Sequence, residues 1–585
     1  MSTVFELTPL DRHFADFIAT ISGAASPQLR LAAALASNAV GSGNVCLNLS
    51  DIAGCTIRLD NENLNVPPLR ELIASLCSIT GIGAPGAFAP LILDQSGRLY
   101  LYRYWQYEQT LAKRILAMAQ EPPPPIDREL LAEGLGRLFP AAAPEEPDRQ
   151  RTAAMTAVTK RFAIISGGPG TGKTSTVVKI LALLLEQASG RPLRIALATP
   201  TGKAAARLQE SIRRAKETLC CSDRIRKLIP EQAVTIHRLL GSGSATMSSR
   251  FPADSPLPFD LVIIDEASMV SLPLMARLTA ALRPDARLLL LGDRDQLASV
   301  EAGAVLGDLC GGAVQSRAEC DHPAPLQDCI VMLTRNYRFQ GESSIGAAAS
   351  AIRRGDGASA LALLTGTDSN GSAWQELSRT ESLQQQLSGT VIRGYAPYLA
   401  ASSAQEALTL FSNFRVLCAM RQGPLGVEAV NQLIFELLAE KRLIRPLGRW
   451  YAGRPVLVTA NDYALKLFNG DIGITWPDPD ADGALRVCFP DGTGGIRTIS
   501  PLRLPDHETA FAMTIHKSQG SEFSRLLMLL PGHDSELLTR ELLYTGLTRA
   551  REGVEIIGNS GLFMAAAARH IERASGLREA LWPGK

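Results

Sequence analysis

Net charge, long apolar runs and closely paired cysteines are all scarce in this 585-residue chain, and each shortage excludes a class of protein. The formal net charge is +1, so overall charge gives no argument for nucleic-acid binding, and any cationic surface must be local or supplied by a partner. The longest apolar stretches are shorter than the ~20 residues of a membrane span. Met1 to Phe17 carries charges where a signal peptide has an apolar segment. We therefore expect a cytoplasmic protein with no membrane partner.

The ten cysteines include no C-x-x-C pair. Cys220 and Cys221 are adjacent, whereas Cys310, Cys320 and Cys329 are widely spaced. This pattern predicts mostly buried thiols in a reducing compartment. The alternative is a metal or iron–sulfur site between Cys310 and Cys329, although the spacing is not that of the usual ligand sets.

A chain of this length is expected to hold roughly three to five domains, because one core rarely serves more than ~250 residues. Residues 1–117 are predicted to form one mainly helical domain without a catalytic pattern. Within it, Leu29 to Val40 has the pattern of an amphipathic helix, and Arg98 to Tyr107 is aromatic and strand-like.

A linker is predicted over residues 118–149. Glu121 to Pro125 contains four consecutive prolines, and Ala141 to Asp148 is rich in alanine, proline and acid, which are boundary signals. A short helix, Arg128 to Phe139, is predicted between them.

Residues 150–326 alternate between apolar strand patterns and helix patterns, with a small insertion near 220–258. Mostly apolar strands are typical of parallel sheets covered on both faces, so an α/β domain is predicted. The predicted strands are Phe162–Ile165, Arg194–Thr199, Leu261–Asp265 and Arg287–Gly292.

A second alternating region covers residues 327–447 and resumes over 506–585. Residues 448–505 interrupt it with short segments of period two, punctuated by glycine and Asp-Gly, which predicts a small β-barrel insertion. The predicted strands of this insertion are Arg454–Thr459, Gly470–Trp476, Leu485–Pro490 and Arg497–Ile499.

The most informative motif is Gly167 to Thr174, which reads Gly-Gly-Pro-Gly-Thr-Gly-Lys-Thr and fits the phosphate-binding loop G-x-x-x-x-G-K-[S/T]. A strand pattern precedes it and a helix pattern, Thr176 to Gln187, follows it. Backbone N–H groups of such a loop surround phosphates, Lys173 can reach the β and γ oxygens, and the Thr174 hydroxyl can ligate Mg²⁺. We therefore predict a nucleoside triphosphate site; the alternative is a chance glycine turn before a helix.

Two acids, Asp265 and Glu266, follow the apolar run Leu261–Ile264. The first carboxylate suits a bound Mg²⁺, and the second is placed to orient and deprotonate an attacking water. After the next strand, Gln296 can sense a γ-phosphate and Asp293 can link to the site, although Asp293 could simply cap a helix. These residues predict hydrolysis of the triphosphate.

Two arginines outside the first α/β domain complete the catalytic candidates. Arg338 lies in Asn336–Phe339 and Arg549 in Tyr544–Ala550. An arginine that reaches across a cleft stabilises charge on the transferring phosphoryl group and couples hydrolysis to closure of two domains. A lone arginine is usually a surface ion pair, so this assignment depends on the whole set of motifs.

In their order along the chain, these motifs resemble those of superfamily 1 helicases, and most closely those of the RecD family, the alpha subunits of the bacterial RecBCD complex (exodeoxyribonuclease V). The resemblance covers Gln150 to Arg551, and the stretch Leu31–Leu49 is also similar. The matching segments are Gly167–Thr174, Ala198–Lys203, Thr235–Arg238, Asp265–Ser268, Gly292–Leu297, Asn336–Phe339, Thr514–Phe523 and Tyr544–Arg549.

The resemblance implies two RecA-like lobes, each with an insertion, of which the second is SH3-like. It implies ATP and Mg²⁺ as the ligands of the phosphate loop, with an adenine contact at Gln150. The nucleotide-binding residues are predicted to be Gln150, Gly167, Gly168, Pro169, Gly170, Thr171, Gly172, Lys173, Thr174, Ser175, Gly520 and Glu522. The predicted catalytic set is Lys173, Asp265, Glu266, Gln296, Arg338 and Arg549, with Thr174 and Asp265 at the metal.

Contacts with single-stranded DNA are also implied by the resemblance. In the first lobe they fall on Thr199, Pro200, Thr201, Lys203, Thr235 and His237, and in the second on Thr514, His516, Lys517 and Gln519. These sites contain few aromatic residues, so the strand is expected to be held through phosphate and sugar, without sequence readout. A solvated lysine is the simpler interpretation of Lys203 or Lys517 taken alone.

The function implied is that of an ATP-dependent DNA helicase moving 5′→3′, as a motor subunit in a heterotrimer with RecB-like and RecC-like subunits. Such a complex acts at duplex ends in double-strand-break repair by homologous recombination and in degradation of linear DNA. The first ~117 residues would dock the partners; the alternative is a stabilising cap on the motor. Nucleases of the partner's class need a metal-binding Asp followed by Glu-x-Lys, and no Glu-x-Lys occurs in this chain, so no intrinsic nuclease is expected.

Three other interpretations stay open at this point. A free-standing RecD-like helicase would carry a longer N-terminal region with helix-hairpin-helix repeats. A P-loop ATPase could remodel proteins without moving along DNA. A non-catalytic assembly subunit is the third, and the intact Lys173, Asp265, Glu266 and Arg549 argue against it.

Overall fold

The architecture is taken from a computed structural model of the full chain. The residues that it describes are 2–23, 26–59, 62–122, 125–140, 148–188, 190–241, 256–311, 326–338, 343–366, 371–378, 382–462, 464–491 and 495–582.

The N-terminal region combines helices with two small sheets. Its elements are β1 (Ser2–Phe5), α1 (Pro9–Ile21), α2 (Pro27–Gly41), β2 (Leu47–Asn48), β3 (Thr56–Leu59), β4 (Glu62–Asn65), α3 (Leu69–Cys77), β5 (Ile82–Gly83), β6 (Leu91–Leu93), β7 (Arg98–Leu101) and α4 (Tyr102–Gln120). The sheets have the orders β1-β3-β4 and β2-β7-β6-β5. The helix predicted over Leu29–Val40 is α2. The strand-like segment ends at Leu101, where the aromatic run becomes the first turns of α4.

Helix α4 packs against the first α/β lobe. Its buried residues Leu111 and Ile115 belong to the same core as Leu274 and Leu278, and Arg114 donates a hydrogen bond of 2.7 Å to the carbonyl oxygen of Arg283. The predicted domain boundary at residue 117 therefore falls inside a helix.

The predicted linker belongs to the helical layer of the first lobe. It contains α5 (Arg128–Leu138) and the start of α6 (Arg149–Thr159). Leu131 and Leu135 of α5 share a buried core with Leu181 and Leu184. Amphipathic packing, which composition did not reveal, holds this segment on the lobe.

The first lobe is a parallel six-stranded sheet covered by helices on both faces. Its elements after α6 are β8 (Phe162–Gly167), α7 (Lys173–Gln187), β9 (Ile195–Thr199), α8 (Gly202–Glu217), α9 (Asp223–Leu228), β10 (Ala233–Thr235), α10 (Ile236–Leu239), β11 (Leu261–Ile264), α11 (Leu272–Ala280), β12 (Arg287–Gly292), α12 (Val305–Cys310) and β13 (Ile330–Leu333). The strand order is β10-β9-β11-β12-β8-β13. This arrangement confirms the predicted RecA-like fold; the predicted insertion near 220–258 lies partly outside the described residues.

Strand β13 corrects the predicted boundary between the lobes. The sequence pattern predicts a second lobe that begins at residue 327 and so includes this strand. In the structure, β13 pairs in parallel with β8, with Ile330 opposite Ile164. The chain therefore crosses between lobes after Leu333. An apolar strand can complete the edge of either neighbouring sheet, and sequence pattern does not distinguish the two.

The second lobe contains a parallel five-stranded sheet, and an antiparallel five-stranded insertion interrupts it. The elements are α13 (Ser344–Arg354), α14 (Gly357–Thr365), β14 (Ser372–Glu376), α15 (Leu383–Leu399), α16 (Ala404–Phe411), β15 (Phe414–Cys418), α17 (Val427–Glu440), β16 (Pro455–Val458), β17 (Ile472–Pro477), β18 (Leu485–Pro490), β19 (Ile496–Ile499), β20 (His507–Thr509), β21 (Ala512–Thr514), β22 (Phe523–Leu529), α18 (Arg540–Leu547), β23 (Ala550–Gly558), α19 (Ser560–Ala568) and α20 (Leu577–Leu581). The lobe sheet has the order β14-β23-β22-β15-β21.

The insertion has the order β19-β18-β17-β16-β20 and its own small core around Val456, Val487 and Phe489. Four of its strands match the predicted segments. The fifth, β20, lies beyond the predicted end at residue 505 and pairs antiparallel with β16. Its residues are only partly buried, so the hydrophobic pattern that identified the other strands is weak there.

The C-terminal segment also departs from the predicted division, which placed residues 506–585 in the second lobe. After α19 the chain returns to the first lobe and the N-terminal region. Ser575 and Gly576 donate hydrogen bonds of 3.0 and 2.9 Å to the Glu108 carboxylate on α4. Leu577 and Leu581 of α20 are buried in the first-lobe core. Only tertiary packing determines where such a short amphipathic helix docks.

Cys310 and Cys329 are buried thiols that form no disulfide within the described residues, and Cys320 lies outside those residues. Within the described ranges, no group of three or more His, Cys, Asp and Glu side chains is arranged to hold a metal ion. Nor does any helix of the described ranges combine the length and apolarity needed to span a membrane.

Candidate nucleotide and nucleic-acid site

The phosphate loop joins the end of β8 to the start of α7. Gly170 and Gly172 have φ of +83° and +81°, the left-handed region in which glycine avoids a steric penalty. A Cβ atom at position 170 would lie 2.5 Å from Cβ of Arg338, and one at position 172 would collide with the Gln150 amide. The loop therefore requires glycine both for its backbone path and for the close approach of its neighbours.

Lys173 is folded back over its own loop in this structure. Its ammonium donates hydrogen bonds to the carbonyl oxygens of Gly167 and Gly168, the latter at 3.1 Å. The Gln150 amide donates a hydrogen bond of 3.1 Å to the Thr171 carbonyl oxygen, which places this residue at the loop. Thr174 is partly buried in the first turn of α7, and Ser175 is exposed beside it.

The two predicted acids stand at the carboxyl end of β11. The Asp265 carboxylate accepts a hydrogen bond of 2.9 Å from the Glu266 N–H. Burial, and then the charge of Glu266, raise the pKa of Asp265 to about 6, while nearby Lys173 opposes the shift. Glu266 has φ of +55°, a conformation that is strained for a residue with a side chain and that is found most often at functional sites.

Asp293 is the centre of a buried hydrogen-bond group that joins the lobes. Its Oδ2 accepts from the Gln296 amide and from the Tyr544 hydroxyl, each at 3.0 Å. Tyr544 belongs to α18 of the second lobe, and a Cβ at Gly168 would lie 2.8 Å from its hydroxyl oxygen. Gln296 is thus beside the phosphate loop, although its amide is bonded to Asp293.

The backbone of Leu297 also forms hydrogen bonds with residues of the second lobe. Its N–H donates to the Thr545 hydroxyl at 2.9 Å, and its carbonyl oxygen accepts from the Gln519 amide at 3.0 Å. Gln519 is buried, and a contact between its amide and DNA would require this bond to break. The assignment of Gln519 to DNA stays a prediction.

The segment that carries Arg338 packs directly on the phosphate loop. The Asn336 amide donates to the Pro169 carbonyl oxygen at 2.9 Å, and the Tyr337 N–H donates to that of Gly170 at 2.8 Å. Arg338 itself forms an ion pair of 2.5 Å with Glu522 of the second lobe. The chain between the lobes therefore crosses next to the site where phosphates would lie.

Arg549 is 2% exposed and lies just after α18. Its guanidinium donates to the carbonyl oxygens of Thr545 and Ser521 at 3.1 and 3.2 Å. Among the described residues, Nη2 of Arg549 and Nη1 of Arg338 are buried with no hydrogen-bond partner. Burial lowers the pKa of both arginines. Unpaired buried donors are costly, and an anion between the lobes would satisfy them.

The Glu522 carboxylate forms ion pairs with three arginines, which are Arg207, Arg338 and Arg551. Burial alone would raise the pKa of its carboxyl, but Arg207 and Arg338 outweigh burial and lower that pKa to about 2. Gly520, with φ of +70°, accepts a hydrogen bond of 3.1 Å from Arg207 through its carbonyl oxygen. Both residues predicted to be near the nucleotide are therefore tied to the first lobe.

The predicted DNA residues of the first lobe follow the neighbouring parallel strands β9 and β10. Thr201 and Thr235 cap helices α8 and α10 by accepting from backbone N–H groups at 3.3 and 3.2 Å. Thr199 is buried and donates to the Thr201 carbonyl oxygen at 2.8 Å, with Pro200 between them. Phe468 of the second-lobe insertion covers the start of α8, 3.0 Å from a Cβ at Gly202.

In the second lobe, the Thr514 hydroxyl accepts a hydrogen bond of 3.2 Å from the Lys517 N–H. The Lys517 ammonium pairs with Glu508 at 2.5 Å and lines an open, polar cleft of about 700 Å³ between the insertion and the lobe. Arg421 and Arg449 also line this cleft. The Lys517 side chain is 32% exposed and paired in this structure, and its assignment to DNA stays a prediction.

The loop Leu297 to Gly303 lies near predicted DNA residues of both lobes. Burial and then Arg277 lower the pKa of His237 in the first lobe, and the nearby Glu301 carboxylate opposes them. Burial, then Arg573, lower the pKa of His516 in the second lobe. Arg573 donates hydrogen bonds of 2.9 and 3.0 Å to the carbonyl oxygens of Glu301 and Gly303.

Sequence reasoning gave no role to Arg207, Phe468, Asn336 or Tyr544, which the structure places at these sites. A signal existed for Arg207, because it lies four residues after Lys203 and so on the same face of α8. The partner of Phe468 is 266 positions earlier in the chain, so spacing along the sequence did not indicate this contact.

Family models match three parts of the chain. A model of an AAA domain matches residues 150–302, one of the N-terminal domain of RecBCD enzyme subunit RecD matches residues 5–100, and one of a UvrD-like helicase C-terminal domain matches residues 509–557. Together they cover the N-terminal region and parts of both lobes.

Full-length relatives extend the similarity. RecBCD enzyme subunit RecD of Mycolicibacterium smegmatis is 42% identical over 99% of this chain and 98% of its own length. The ATP-dependent RecD2 DNA helicase of Deinococcus radiodurans is 31% identical over 81% of this chain and 57% of its own length. A Pif1 helicase structure from Bacteroides, in complex with ADP-AlF3 and single-stranded DNA, is 18% identical, covers 73% of this chain and 94% of its own, and has a TM-score of 0.39.

Segments of the second lobe pack beside the phosphate loop of the first, and the chain matches RecD over nearly its whole length. These two findings lead to one conclusion. This chain belongs to the RecD family of RecBCD enzyme subunits, and it is an ATP-dependent DNA helicase of superfamily 1.

Proposed function

We propose that this RecD-family helicase hydrolyses ATP with Mg²⁺ between its two lobes and uses the cycle to move 5′→3′ along single-stranded DNA. The observation that carries the proposal is the convergence of Arg338 and of the segment Tyr544–Arg549 on the phosphate loop. Each arginine brings to this junction a buried N–H that has no hydrogen-bond partner among the described residues. The direction of movement comes from the family resemblance.

The residues at the loop fit a magnesium nucleotide. Gly170 and Gly172 hold the backbone in the path that exposes N–H groups to phosphates, and Lys173 can exchange its carbonyl partners for phosphate oxygens. Thr174 and Asp265 would hold Mg²⁺, which when bound neutralises phosphate charge. Asp265 stands at the carboxyl end of β11 with its carboxylate near Lys173, and carboxylate oxygens are ligands that Mg²⁺ prefers.

Glu266 is the proposed base, because it follows Asp265 at the carboxyl end of β11 and has the left-handed backbone that clusters at active sites. Arg338 and Arg549 would stabilise charge on the transferring phosphoryl group. Gln296 would report the state of the nucleotide through Asp293 to Tyr544 in the second lobe. Hydrolysis is thereby coupled to the relative position of the lobes.

Movement along DNA would follow from alternate grip by the two lobes. The proposed contacts are the residues after β9 and β10 in one lobe and after β21 in the other, and the loop Leu297–Gly303 lies near both. Because most of these contacts are hydroxyl, lysine and histidine side chains, they suit phosphate and sugar and would not read sequence.

We further propose that the chain works with RecB-like and RecC-like subunits at duplex DNA ends, in double-strand-break repair and degradation of linear DNA. The N-terminal region would dock the partners. The match of residues 5–100 to the N-terminal domain of RecBCD enzyme subunit RecD supports this proposal over a free-standing helicase, as does the 42% identity to the RecD relative against 31% to the RecD2 relative.

Strand displacement tests direction and autonomy together. Purified protein, alone and with co-expressed partners, is incubated with ATP and labelled duplexes bearing only a 5′ or only a 3′ single-stranded extension. We expect the chain to unwind the substrate with the 5′ extension and to leave the labelled strand uncut. Unwinding confined to the 3′ extension would contradict the proposed direction, and cleavage by the chain alone would contradict the absence of a nuclease.

The pH dependence of DNA binding tests Lys203. Burial, followed by the charge of Arg415, lowers the pKa of Lys203 to about 8. Above that pH the free side chain loses its proton, whereas a DNA phosphate favours the charged form, so binding must take up a proton. Affinity for labelled oligothymidine is therefore expected to fall between pH 8 and 10, by up to about tenfold per pH unit.

The matched control is Lys203→Arg, because arginine keeps its charge across this range. Fluorescence anisotropy from pH 7 to 10 should give a flatter curve for the variant than for the parent. Parallel curves for the two proteins would show that Lys203 does not contact the phosphates.

A further inference from the structure

Arg207 connects the first lobe to the second at a point that no catalytic or DNA assignment uses. It lies on α8, one turn after Lys203, and its side chain reaches the second-lobe segment Gly520–Glu522. Nη1 donates to the Gly520 carbonyl oxygen at 3.1 Å, and Nη2 pairs with the Glu522 carboxylate. One guanidinium thus holds both a backbone oxygen and a carboxylate of the opposite lobe.

Glu522 shares its two oxygens between three arginines of different origin. Oε1 pairs with Arg338, from the chain between the lobes, and Oε2 pairs with Arg207 and with Arg551 of β23. The Glu522 side chain is 11% exposed, whereas that of Arg551 is 51% exposed. Removal of a partner from a buried carboxylate leaves charge uncompensated, while a half-exposed partner is screened by water.

The geometry relates this cluster to the DNA residues. Thr201 caps α8, Lys203 lies in its first turn and Arg207 lies in its second turn. A shift of this helix caused by DNA would therefore also move Arg207. A movement of Arg207 would displace the Glu522 side chain that it holds, and Arg338 is bonded to the other oxygen of Glu522. Three side chains in direct contact therefore lead from the predicted DNA residues to an arginine at the phosphate loop.

We infer that Arg207 is a positioning residue, which holds Glu522 and through it Arg338, so that DNA bound at α8 sets the arginine for hydrolysis. This inference rests on the proposed function, because it assumes that DNA binds at α8 and that Arg338 acts on the nucleotide. A role limited to stabilising the fold would not change the dependence of hydrolysis on DNA.

The test is steady-state ATP hydrolysis by the full chain with saturating oligothymidine. We expect Arg207→Ala to lower the DNA-stimulated kcat about tenfold, with KM for ATP and Kd for DNA within about threefold of the parent. Arg207→Lys should lie between the two, because an ammonium keeps the charge but not the forked contact to Gly520 and Glu522. Circular dichroism and melting temperature check that each variant is folded.

Two matched controls separate positioning from general charge. Arg214→Ala removes an arginine of the same helix whose side chain is 76% exposed and paired with Glu210 of α8. Arg551→Ala removes the half-exposed partner of Glu522 that does not bridge the lobes. Both should keep the stimulated kcat within about twofold. A loss with Arg551→Ala equal to that with Arg207→Ala would overturn the inference.

A double-mutant cycle tests whether Arg207 acts through Glu522. If it does, adding Arg207→Ala to Glu522→Gln should cause little further loss, since the shared path is already broken. Independent, multiplying losses would overturn the inference, as would a parental stimulated kcat in Arg207→Ala. A parent protein whose ATP hydrolysis does not respond to DNA at all would instead overturn the proposed function.

Discussion

Replacement of Arg549 by alanine is expected to lower DNA-stimulated ATP hydrolysis by about 10³-fold or more, the effect of removing an arginine finger. Arg549 is 2% exposed, is oriented by the carbonyl oxygens of Thr545 and Ser521, and has a buried N–H without a partner among the described residues. Because its orientation is already established, it can stabilise phosphoryl charge without reorganisation. A coupled ATPase assay with saturating oligothymidine measures the loss.

The control for this prediction is Arg393→Ala. Arg393 lies on α15 of the same lobe and pairs at 3.8 Å with Glu555, where its side chain is 66% exposed, so its loss should leave hydrolysis unchanged. Arg549→Lys should recover little activity, because the guanidinium bonds two carbonyl oxygens and would also bond a phosphate, whereas an ammonium cannot reproduce this geometry. Parental activity in Arg549→Ala would show that this arginine is only a packing residue.

Replacement of Lys173 by glutamine is expected to lower DNA-stimulated hydrolysis by about 10²–10³-fold, as for removal of a donor that faces developing charge. The Lys173 ammonium donates to the carbonyl oxygens of Gly167 and Gly168, so it lies over the loop that would bind the phosphates. Glutamine is close in length but carries no charge. Measurement of kcat and of the affinity for a fluorescent ATP analogue separates the loss of catalysis from the loss of binding.

Lys179→Gln is the matched control, because Lys179 lies on the same helix but points to the ring of Phe139, 4.4 Å from its centroid. It should retain hydrolysis close to that of the parent. If Lys173→Gln hydrolysed ATP at the parental rate in the presence of DNA, the assignment of this loop as the motor site would be wrong.

Much of the architecture could be predicted because its strands are buried on both faces. Continuous apolar runs such as Phe162–Ile165 and Leu261–Ile264 have few alternatives to a covered parallel sheet, and the structure confirms them as β8 and β11. The phosphate loop was equally predictable, since glycine is required at Gly170 and Gly172 by left-handed backbone and close contacts. These constraints are local, so they leave a signal in adjacent residues.

Elements whose position depends on distant partners were not predictable in this way. Strand β13 could have joined either lobe, and the sheet edge at β8 decided the outcome. Helix α20 docks on the first lobe because Glu108, far away in sequence, accepts the hydrogen bonds of Ser575 and Gly576. Helix propensity and hydrophobic periodicity depend on neighbouring residues, so they do not indicate such distant contacts.

The amino-acid sequence by itself determined the nucleotide loop, the acids after β11, the two parallel lobes and the antiparallel insertion, because each depends on neighbouring residues and on alternation of apolar side chains. Tertiary structure alone decided that Arg338 lies against Gly170, that Tyr544 bonds Asp293 and that Arg207 shares Glu522 with Arg338. These contacts join residues more than a hundred positions apart. Their geometry depends on how two separately packed sheets meet, and no local pattern encodes that.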